Sequence, residues 1–189
     1  MAFAGCRDDD MVAVPFSDAD IVADTLGGCW EEGIPLGNAT IGAMVWQRDS
    51  MLRLTLDRSD LWDLRANDSL SGPNYSFDWL IERLNSNHYN QVQEKFDASY
   101  DKLAYPTKFP AGALEFAVGR LGRPSSVRLY LKGALCEVTW PCGTRFITFV
   151  SAVVPDVGFF RFYNLPSDVN PEPVIVPPSF QGLPDPDSV

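Results

Sequence analysis

The most regular apolar pattern in the chain predicts a pair of antiparallel strands. Two apolar runs, Ile41–Trp46 and Met51–Leu56, flank a polar tetrapeptide, and every other residue of the second run is leucine. A period of two is typical of a strand with one buried face, and the short polar break is typical of a hairpin. Gly42, inside the first strand, is expected to mark a bulge or a close backbone approach.

Further along the chain, the spacing between apolar residues changes from every second residue to every third or fourth residue. Apolar residues recur at helical spacing over 77–96, which predicts a short helical insertion at about 77–96 with Ser76 as its N-cap. His88 lies on the flank of this segment and is expected at the surface. Residues 105–110 contain two prolines and are expected to form an extended linker.

Beyond residue 112 the period of two returns. Five strands are expected, at Ala113–Val118, Val127–Leu131, Ala134–Trp140, Arg145–Ser151 and Gly158–Tyr163. Short strands at regular spacing indicate a mainly β fold, an antiparallel sandwich or barrel. One domain is expected over 16–165, after a flexible lead-in at 1–15. Seven prolines follow Leu165, so 166–189 is expected to be a Pro-rich extended tail.

Composition excludes several classes of partner. A net charge of −10 argues against binding to nucleic acid or to an anionic membrane surface. No apolar run has the length of a transmembrane segment. Four cysteines are too few for a disulfide scaffold; Cys136 and Cys142 are expected too far apart along one strand to be bridged, and Cys29 is expected to be a small buried residue. No metal site and no cofactor are expected.

The segment before the first hairpin combines turn residues with aromatic ones. Gly33, Pro35 and Gly37 indicate an ordered but irregular loop, and Asn38 is expected to shape its turn by bonding to its own backbone. Trp30 is expected, like Trp46, to anchor the core or an interface.

These residues stand in an order found in a known carbohydrate-enzyme domain. Family members carry a Trp, then Pro-(Leu/Ile)-Gly-Asn-Gly-x-(Leu/Ile)-Gly-Ala-Met-Val, and then a strand that ends in an acidic turn bearing a Trp. The matching residues here are Trp30, Pro35-Leu36-Gly37-Asn38, Ile41-Gly42-Ala43-Met44-Val45 and Asp57 to Trp62. Over roughly 30–165 the chain resembles the N-terminal β-sandwich domain of glycoside hydrolase family 95, which is α-L-fucosidase-like and related to the N-terminal domain of family 65. Ala39 replaces the family's Gly, so a positive φ there would be costly.

The resemblance implies a fold and a role. The fold is an antiparallel β-sandwich of the super-sandwich, galactose-mutarotase-like kind, incomplete in this chain. In the family the catalytic groups lie in a following (α/α)6 barrel, which is missing here. The resemblance therefore implies a non-catalytic fragment of an enzyme that acts on α-L-fucosides or α-L-galactosides. Carbohydrate is then a partner of the fragment only through the full-length enzyme. Self-association through an exposed sheet edge is also expected.

The acidic turn offers candidate site residues. Asp57, Asp60 and Asp63 are expected to cap the turn and to face water rather than to form a catalytic pair, so no catalytic residue is assigned in this chain. Trp62 has the chemistry to stack on a sugar ring, with Asp63 and Arg65 bonding to hydroxyl groups; the alternative is that Trp62 packs at a domain interface. The first reading supports a second hypothesis, a stand-alone carbohydrate-binding module.

The start of the chain carries a hint of localisation. Ala4-Gly5-Cys6 resembles the end of a bacterial lipoprotein signal, without the charged and apolar regions that precede it. It favours a secreted, periplasmic or lipid-anchored bacterial protein, with a chance match as the alternative.

Overall fold

A computed structural model describes most of the 189-residue chain. The described residues are 15–66, 68, 71–72, 75–97, 107–170 and 172–178. They form two compact units. We call the described residues of 1–59 and 111–189 the sheet unit, and those of 60–110 the helical unit. The Ala4-Gly5-Cys6 tripeptide and residues 105–106 of the expected linker lie outside the described residues, and Thr107–Lys108 of that linker form a short strand.

The described part of the chain is mainly β, as predicted. Its twelve strands are β1 (Ile21–Ala23), β2 (Ile34–Gly37), β3 (Ile41–Arg48), β4 (Met51–Arg58), β5 (Trp62–Asp63), β6 (Thr107–Lys108), β7 (Gly112–Ala117), β8 (Ser126–Tyr130), β9 (Leu135–Thr139), β10 (Arg145–Val150), β11 (Gly158–Tyr163) and β12 (Val174–Val176). The two helices are α1 (Phe77–Asn85) and α2 (Tyr89–Asp97).

Ten of these strands form two antiparallel sheets in the sheet unit. Sheet A has the order β1-β8-β9-β10-β11, and sheet B has the order β12-β7-β4-β3-β2. The predicted hairpin is β3–β4, paired from Ile41 with Arg58 to Arg48 with Met51. The remaining two strands, β5 and β6, pair in the helical unit.

The inner faces of both sheets contribute to one hydrophobic core, in a sandwich-like arrangement. Val45 and Phe116 of sheet B are fully buried, as are Val138 and Phe146 of sheet A. The rings of Phe116 and Phe146 lie 5.5 Å apart between centroids. Burying a side chain of this size contributes about 1.5–3 kcal/mol, so the alternating apolar residues that predicted the strands also hold the sheets together.

The segment before the hairpin corrects two predictions. Residues expected to form an irregular loop instead form β2, which pairs with β3 at the edge of sheet B. An edge strand tolerates Pro35, which lacks an N–H to donate. Pairing continues without a bulge through Gly42, where an added Cβ would lie 3.5 Å from the Leu36 carbonyl oxygen. That is an ordinary contact, so the prediction of a bulge or close approach at Gly42 is wrong.

Part of the Pro-rich C-terminal stretch is ordered as a strand. Val174–Val176 forms β12, which pairs with β7 at the other edge of sheet B. Pro173 and Pro177 flank it directly. Proline is compatible with this position because the outer side of an edge strand needs no backbone donor.

The helical unit matches the predicted insertion closely. The Trp79 N–H donates to the hydroxyl oxygen of Ser76 at 3.2 Å, which confirms the predicted N-cap. The Tyr75 and Phe96 rings pack with centroids 4.6 Å apart. His88 is exposed in the turn between the helices, as expected.

Candidate functional site

The turn between β2 and β3 is built around the side chain of Asn38. Its Oδ1 accepts hydrogen bonds from the backbone N–H groups of Thr40 and Ile41, at 3.0 and 2.9 Å. This is the Asx-type bonding expected from the sequence, and it satisfies two donors that the reversing backbone leaves without a ladder partner. The side chain therefore determines the shape of the turn.

The same side chain joins the two sheets. Its Nδ2 donates to the carbonyl oxygen of Ser151 at 2.7 Å, directly after β10 of sheet A. Nearby, Arg58 at the end of β4 forms an ion pair of 3.1 Å with Asp156 in the β10–β11 loop. Sheets A and B are thus linked by polar contacts at this end of the sheet unit.

Ala39 adopts the strained conformation that the family pattern suggested. Its φ is +73°, a region that residues other than Gly, Asn and Asp rarely enter. Asn38 and its hydrogen bonds hold the turn in place despite this cost. The motif residues Gly37 and Gly42 pair directly across the two strands of the turn.

An open cleft lies between the sheets on the β11 side. It has a volume of about 280 Å³ and is mostly apolar, with lining residues that include Ile41, Ala43, Leu54, Leu56, Leu114 and Phe160. Asp57, Arg58 and Asp156 stand at one end. Asp57 is exposed on β4, opposite Gly42. Sequence reasoning missed this cleft, because it arises from which strands are neighbours and not from any local motif.

The two tryptophans expected in the core or at an interface, and the cysteine expected to be buried, differ in exposure. Trp30 is 59% exposed, in a 3-10 turn at Trp30–Glu32, so it does not anchor the core. Trp46 is partly buried on β3, where its indole N–H donates to the Thr55 hydroxyl at 2.8 Å. Cys29, expected to be buried, is exposed. These positions carry no periodic signal strong enough to reveal their neighbours.

The predicted sugar-binding residues lie together in the helical unit. Trp62 and Asp63 form β5, which pairs with Thr107 and Lys108 of β6. Trp62 is 50% exposed, whereas Asp63 is buried. The burial of Asp63 corrects the expectation that this carboxylate faces water.

Asp63 is held by a two-pronged contact with Arg65. Its carboxylate accepts from Nε at 3.0 Å, from Nη2 at 2.6 Å and from the Arg65 backbone N–H at 3.1 Å. The side-chain hydrogen bond from Arg65 holds the pKa of Asp63 below its ordinary value, against the opposing effect of burial. Asp63 therefore stays ionised at neutral pH and orients the guanidinium.

Two exposed residues, one in β5 and one just after it, each offer one kind of contact to a sugar. Trp62 is 50% exposed, and Arg65, three residues further along the chain, keeps 62% of its side chain exposed while bound to Asp63. An aromatic face can stack on the C–H face of a sugar, and guanidinium N–H groups donate to hydroxyl oxygens.

The part of the chain that the structure describes contains neither a cluster of metal-binding side chains nor a helix that could span a membrane. No three His, Cys, Asp or Glu side chains there lie close enough to hold a metal ion. No helix in that part is both long and apolar enough to cross a membrane.

No protein-family model matches this chain, and no curated protein matches it.

Proposed function

We propose that this chain is a non-catalytic β domain of a carbohydrate-active enzyme, of the kind that precedes the barrel of family 95 glycoside hydrolases. The observation that carries the proposal is the set of hydrogen bonds made by the Asn38 side chain. Its side chain forms two hydrogen bonds within the turn and one to Ser151. Asn38, a residue of the motif that carries the resemblance, thus contributes to the architecture of the sheet unit, which supports a structural role for the motif.

Asp63 is the acidic residue of the Trp-bearing turn whose hydrogen bonds and pKa shift are described above. Its electrostatic surroundings do not suit a catalytic acid. A glycosidase needs a carboxylic acid that is still protonated near neutral pH, which requires a raised pKa. The pKa of Asp63 is lowered, and its oxygens are engaged by Arg65. This supports placing the chemistry on another domain.

A hydrolysis assay tests the non-catalytic role. We expect no turnover of aryl α-L-fucoside or aryl α-L-galactoside above the buffer rate. The double variant Asp57→Asn/Asp60→Asn should give the same result as the parent. Turnover by the parent that disappears in the double variant would place the chemistry in this chain and contradict the proposal.

The supporting role has its own test. A separately produced (α/α)6 barrel of a family 95 enzyme, mixed with this chain, should unfold at a higher temperature than the barrel alone, since a ligand that binds only the folded state raises its Tm. An equimolar amount of an unrelated acidic β protein is the control. An unchanged Tm at saturating chain concentration would count against a supporting role.

A second candidate function, carbohydrate binding, is favoured by the β5 tip. Trp62 is 50% exposed, and Asp63, the residue after it, orients the guanidinium of Arg65. The expected ligands are neutral glycans with terminal L-fucose or L-galactose, which suit the acidic net charge of −10 better than anionic ones.

Titration calorimetry tests the second function with a matched pair of tryptophans. Trp62→Ala should weaken glycan binding about tenfold or more, if the sugar gains on the scale of about 1–3 kcal/mol that nucleic-acid bases gain by stacking on aromatic side chains. Trp30→Ala removes another exposed indole, from the sheet unit, and should leave the affinity unchanged. Equal affinities for all three proteins, or no binding at millimolar glycan, would reject this function.

A further inference from the structure

The cleft between the sheets has an apolar wall on each side. Leu54 and Leu56 of β4 and Leu114 of β7 line it from sheet B, and Val150 of β10 and Phe160 of β11 line it from sheet A. Leu54 is buried, three of the others are partly buried, and Phe160 is 40% exposed. Water against these side chains finds few hydrogen-bond partners, so a ligand with an apolar body that displaces this water is favoured.

Two small residues account for the volume of the cleft. Ala43 of β3 pairs with Leu56, Gly158 of β11 pairs with Val150, and all four residues line the cleft. Among the described residues, a Cβ added at Gly158 would meet only the carbonyl oxygen of Phe149 within 4 Å, at 3.8 Å. Larger side chains at these two positions would fill the space between the sheets, so the cleft depends on their small size.

The volume of the cleft sets the size of its ligand. The cleft measures about 280 Å³. An apolar cavity of about 150 Å³ holds one benzene molecule, so the cleft has room for an apolar body of about ten carbon atoms, the size of naphthalene. Small-molecule sites begin at about 300 Å³, which places the cleft at the lower end of their range.

The polar end of the cleft sets the charge of the ligand. Arg58 and Asp156 stand there as an ion pair of 3.1 Å. A cationic ligand meets the like charge of Arg58, and an anionic ligand meets that of Asp156, so an uncharged polar group suits this pair best. Asp57 alternates with Leu56 and Arg58 along β4, so its side chain lies on the opposite face of the sheet. The Asp156 carboxylate is 44% exposed and can accept a hydrogen bond from a ligand hydroxyl.

We propose that this cleft binds an uncharged alcohol with an apolar body of about ten carbon atoms. The body packs between Leu114 on sheet B and Phe160 on sheet A, and the hydroxyl donates to the carboxylate of Asp156. The occupant is inferred from the volume of the cleft, its apolar walls and the paired charges at its end. The site lies within the sheet unit and is independent of the carbohydrate proposals.

Three naphthalene derivatives serve as probes. Naphthylmethanol, naphthoate and naphthylmethylammonium share one aromatic body and differ in charge. Each is titrated with the full chain and followed by ligand-observed NMR. We expect naphthylmethanol to bind with a Kd below about 1 mM and both ions to bind at least about threefold more weakly, because each ion loses hydration and meets one like charge. Equal affinities, or no saturable binding of naphthylmethanol at millimolar concentration, would overturn the proposal.

Removing the charge of Asp156 should change the selectivity. Asp156→Asn keeps the size of the side chain and tolerates the φ of +63°, but it takes away the charge that repels an anion beside Arg58. The affinity for naphthoate relative to naphthylmethanol should rise at least about threefold. Asp49→Asn is the control, because Asp49 also has a positive φ, of +54°, and does not line the cleft. An unchanged ratio in Asp156→Asn would overturn the proposal.

Two glycine variants form a matched pair. Gly158→Val places a side chain in the cleft and should weaken naphthylmethanol binding about tenfold or more. Gly28→Val should leave the affinity unchanged, because an added Cβ at Gly28 meets no described atom within 4 Å and Gly28 does not line the cleft. Equal affinities of the parent and both variants would overturn the proposal. If circular dichroism shows Gly158→Val to be unfolded, the selectivity of Asp156→Asn decides the question.

Two further outcomes identify other occupants. Naphthylmethanol binding that tightens about tenfold when residues 179–189 are removed would assign the cleft to the chain's own C-terminal residues. A dimer in sedimentation that dissociates when naphthylmethanol is added would assign the cleft to a second copy. Either result would overturn the proposal, whereas a monomer with unchanged affinity after truncation supports it.

Discussion

The side-chain amide of Asn38 donates a hydrogen bond to the carbonyl oxygen of Ser151 at 2.7 Å, across 113 positions of sequence. Asn38 follows β2 of sheet B, and Ser151 follows β10 of sheet A. Because the other end of the amide accepts from Thr40 and Ile41, one side chain both shapes a turn and ties the sheets together.

Replacing Asn38 separates these two roles. Asn38→Asp keeps the acceptor oxygens but loses the donor to Ser151, and should destabilise the protein by about 1 kcal/mol; Asn38→Ala loses all three bonds and should cost about 2–3 kcal/mol. The measurement is urea denaturation. Asn164→Asp is the control, because the Asn164 amide makes a long, exposed contact of 3.4 Å with Gly143. An effect of Asn38→Asp no larger than that of the control would contradict the sheet-linking role.

Ala39→Gly should stabilise the protein. The φ of +73° costs an alanine about 1 kcal/mol or more, and glycine relieves it at a smaller cost in unfolded-state entropy. We expect a gain of about 0.5–1 kcal/mol in the free energy of unfolding. Ala117→Gly in β7, where φ is negative, should instead lose about that amount. Loss of stability in both variants would show that the turn is not strained.

Asp20 should make the stability of the sheet unit pH-dependent. Burial raises its pKa, but hydrogen bonds from the backbone of Ser17 and Leu131 and from the Arg128 guanidinium outweigh burial and lower the pKa below the ordinary 3.8. The contribution of Asp20 is therefore fully present above pH 3.8 and is lost as the pH falls through the folded-state pKa. Asp20→Asn should lower the Tm at neutral pH. The difference in Tm between this variant and the parent should become smaller as the pH falls below 3.8.

Thermal denaturation from neutral pH down to about pH 2 measures this effect, the lower limit being set by the usual range of lowered carboxylate pKa values. Asp18→Asn, at an exposed neighbouring position, is the control and should follow the parent throughout. A deficit of Asp20→Asn that stays constant with pH would show that Asp20 acts through neutral hydrogen bonding alone.

The described cysteines should differ widely in reactivity. The hydrogen bond to the Thr144 hydroxyl lowers the pKa of the exposed Cys142 thiol, whereas burial, with a smaller effect of Glu137, raises the pKa of Cys136 to about 12. Because the thiolate is the reactive form, iodoacetamide should modify Cys142 first and Cys136 only in denaturant. Mass spectrometry of proteolytic peptides locates the label. Early labelling of Cys136 in the folded protein would contradict its buried position.

Long periodic segments were predictable because their signal is local. Gly158–Tyr163 was predicted with the bounds that β11 has, and the helical spacing over 77–96 became α1 and α2. The strands that escaped prediction are short edges, including β1, β2 and β12. Three or four residues are too few for a period of two to stand out, and Pro35 argues against a strand unless its edge position is known.

The candidate site shows the same division. The order Trp62, Asp63, Arg65 was visible in the sequence, and so was the chemistry of an indole next to charged groups. The burial of Asp63 was not, because it depends on the conformation that brings the Arg65 guanidinium onto the carboxylate. The sequence left open whether Trp30 lies in the core or at an interface for a related reason: whether a large side chain is covered depends on what packs against it.

By itself, the sequence determined the mainly β character, the central strands, the helical insertion and the Asn38 turn, since each depends on spacing or side-chain bonding within a few residues. Only the tertiary structure decided which strands became neighbours. That choice brings Ala43 and Gly158 into one cleft and leaves Phe160 exposed on its wall. Strand order arises from contacts between residues far apart in the chain, and such contacts leave no periodic trace in either segment alone.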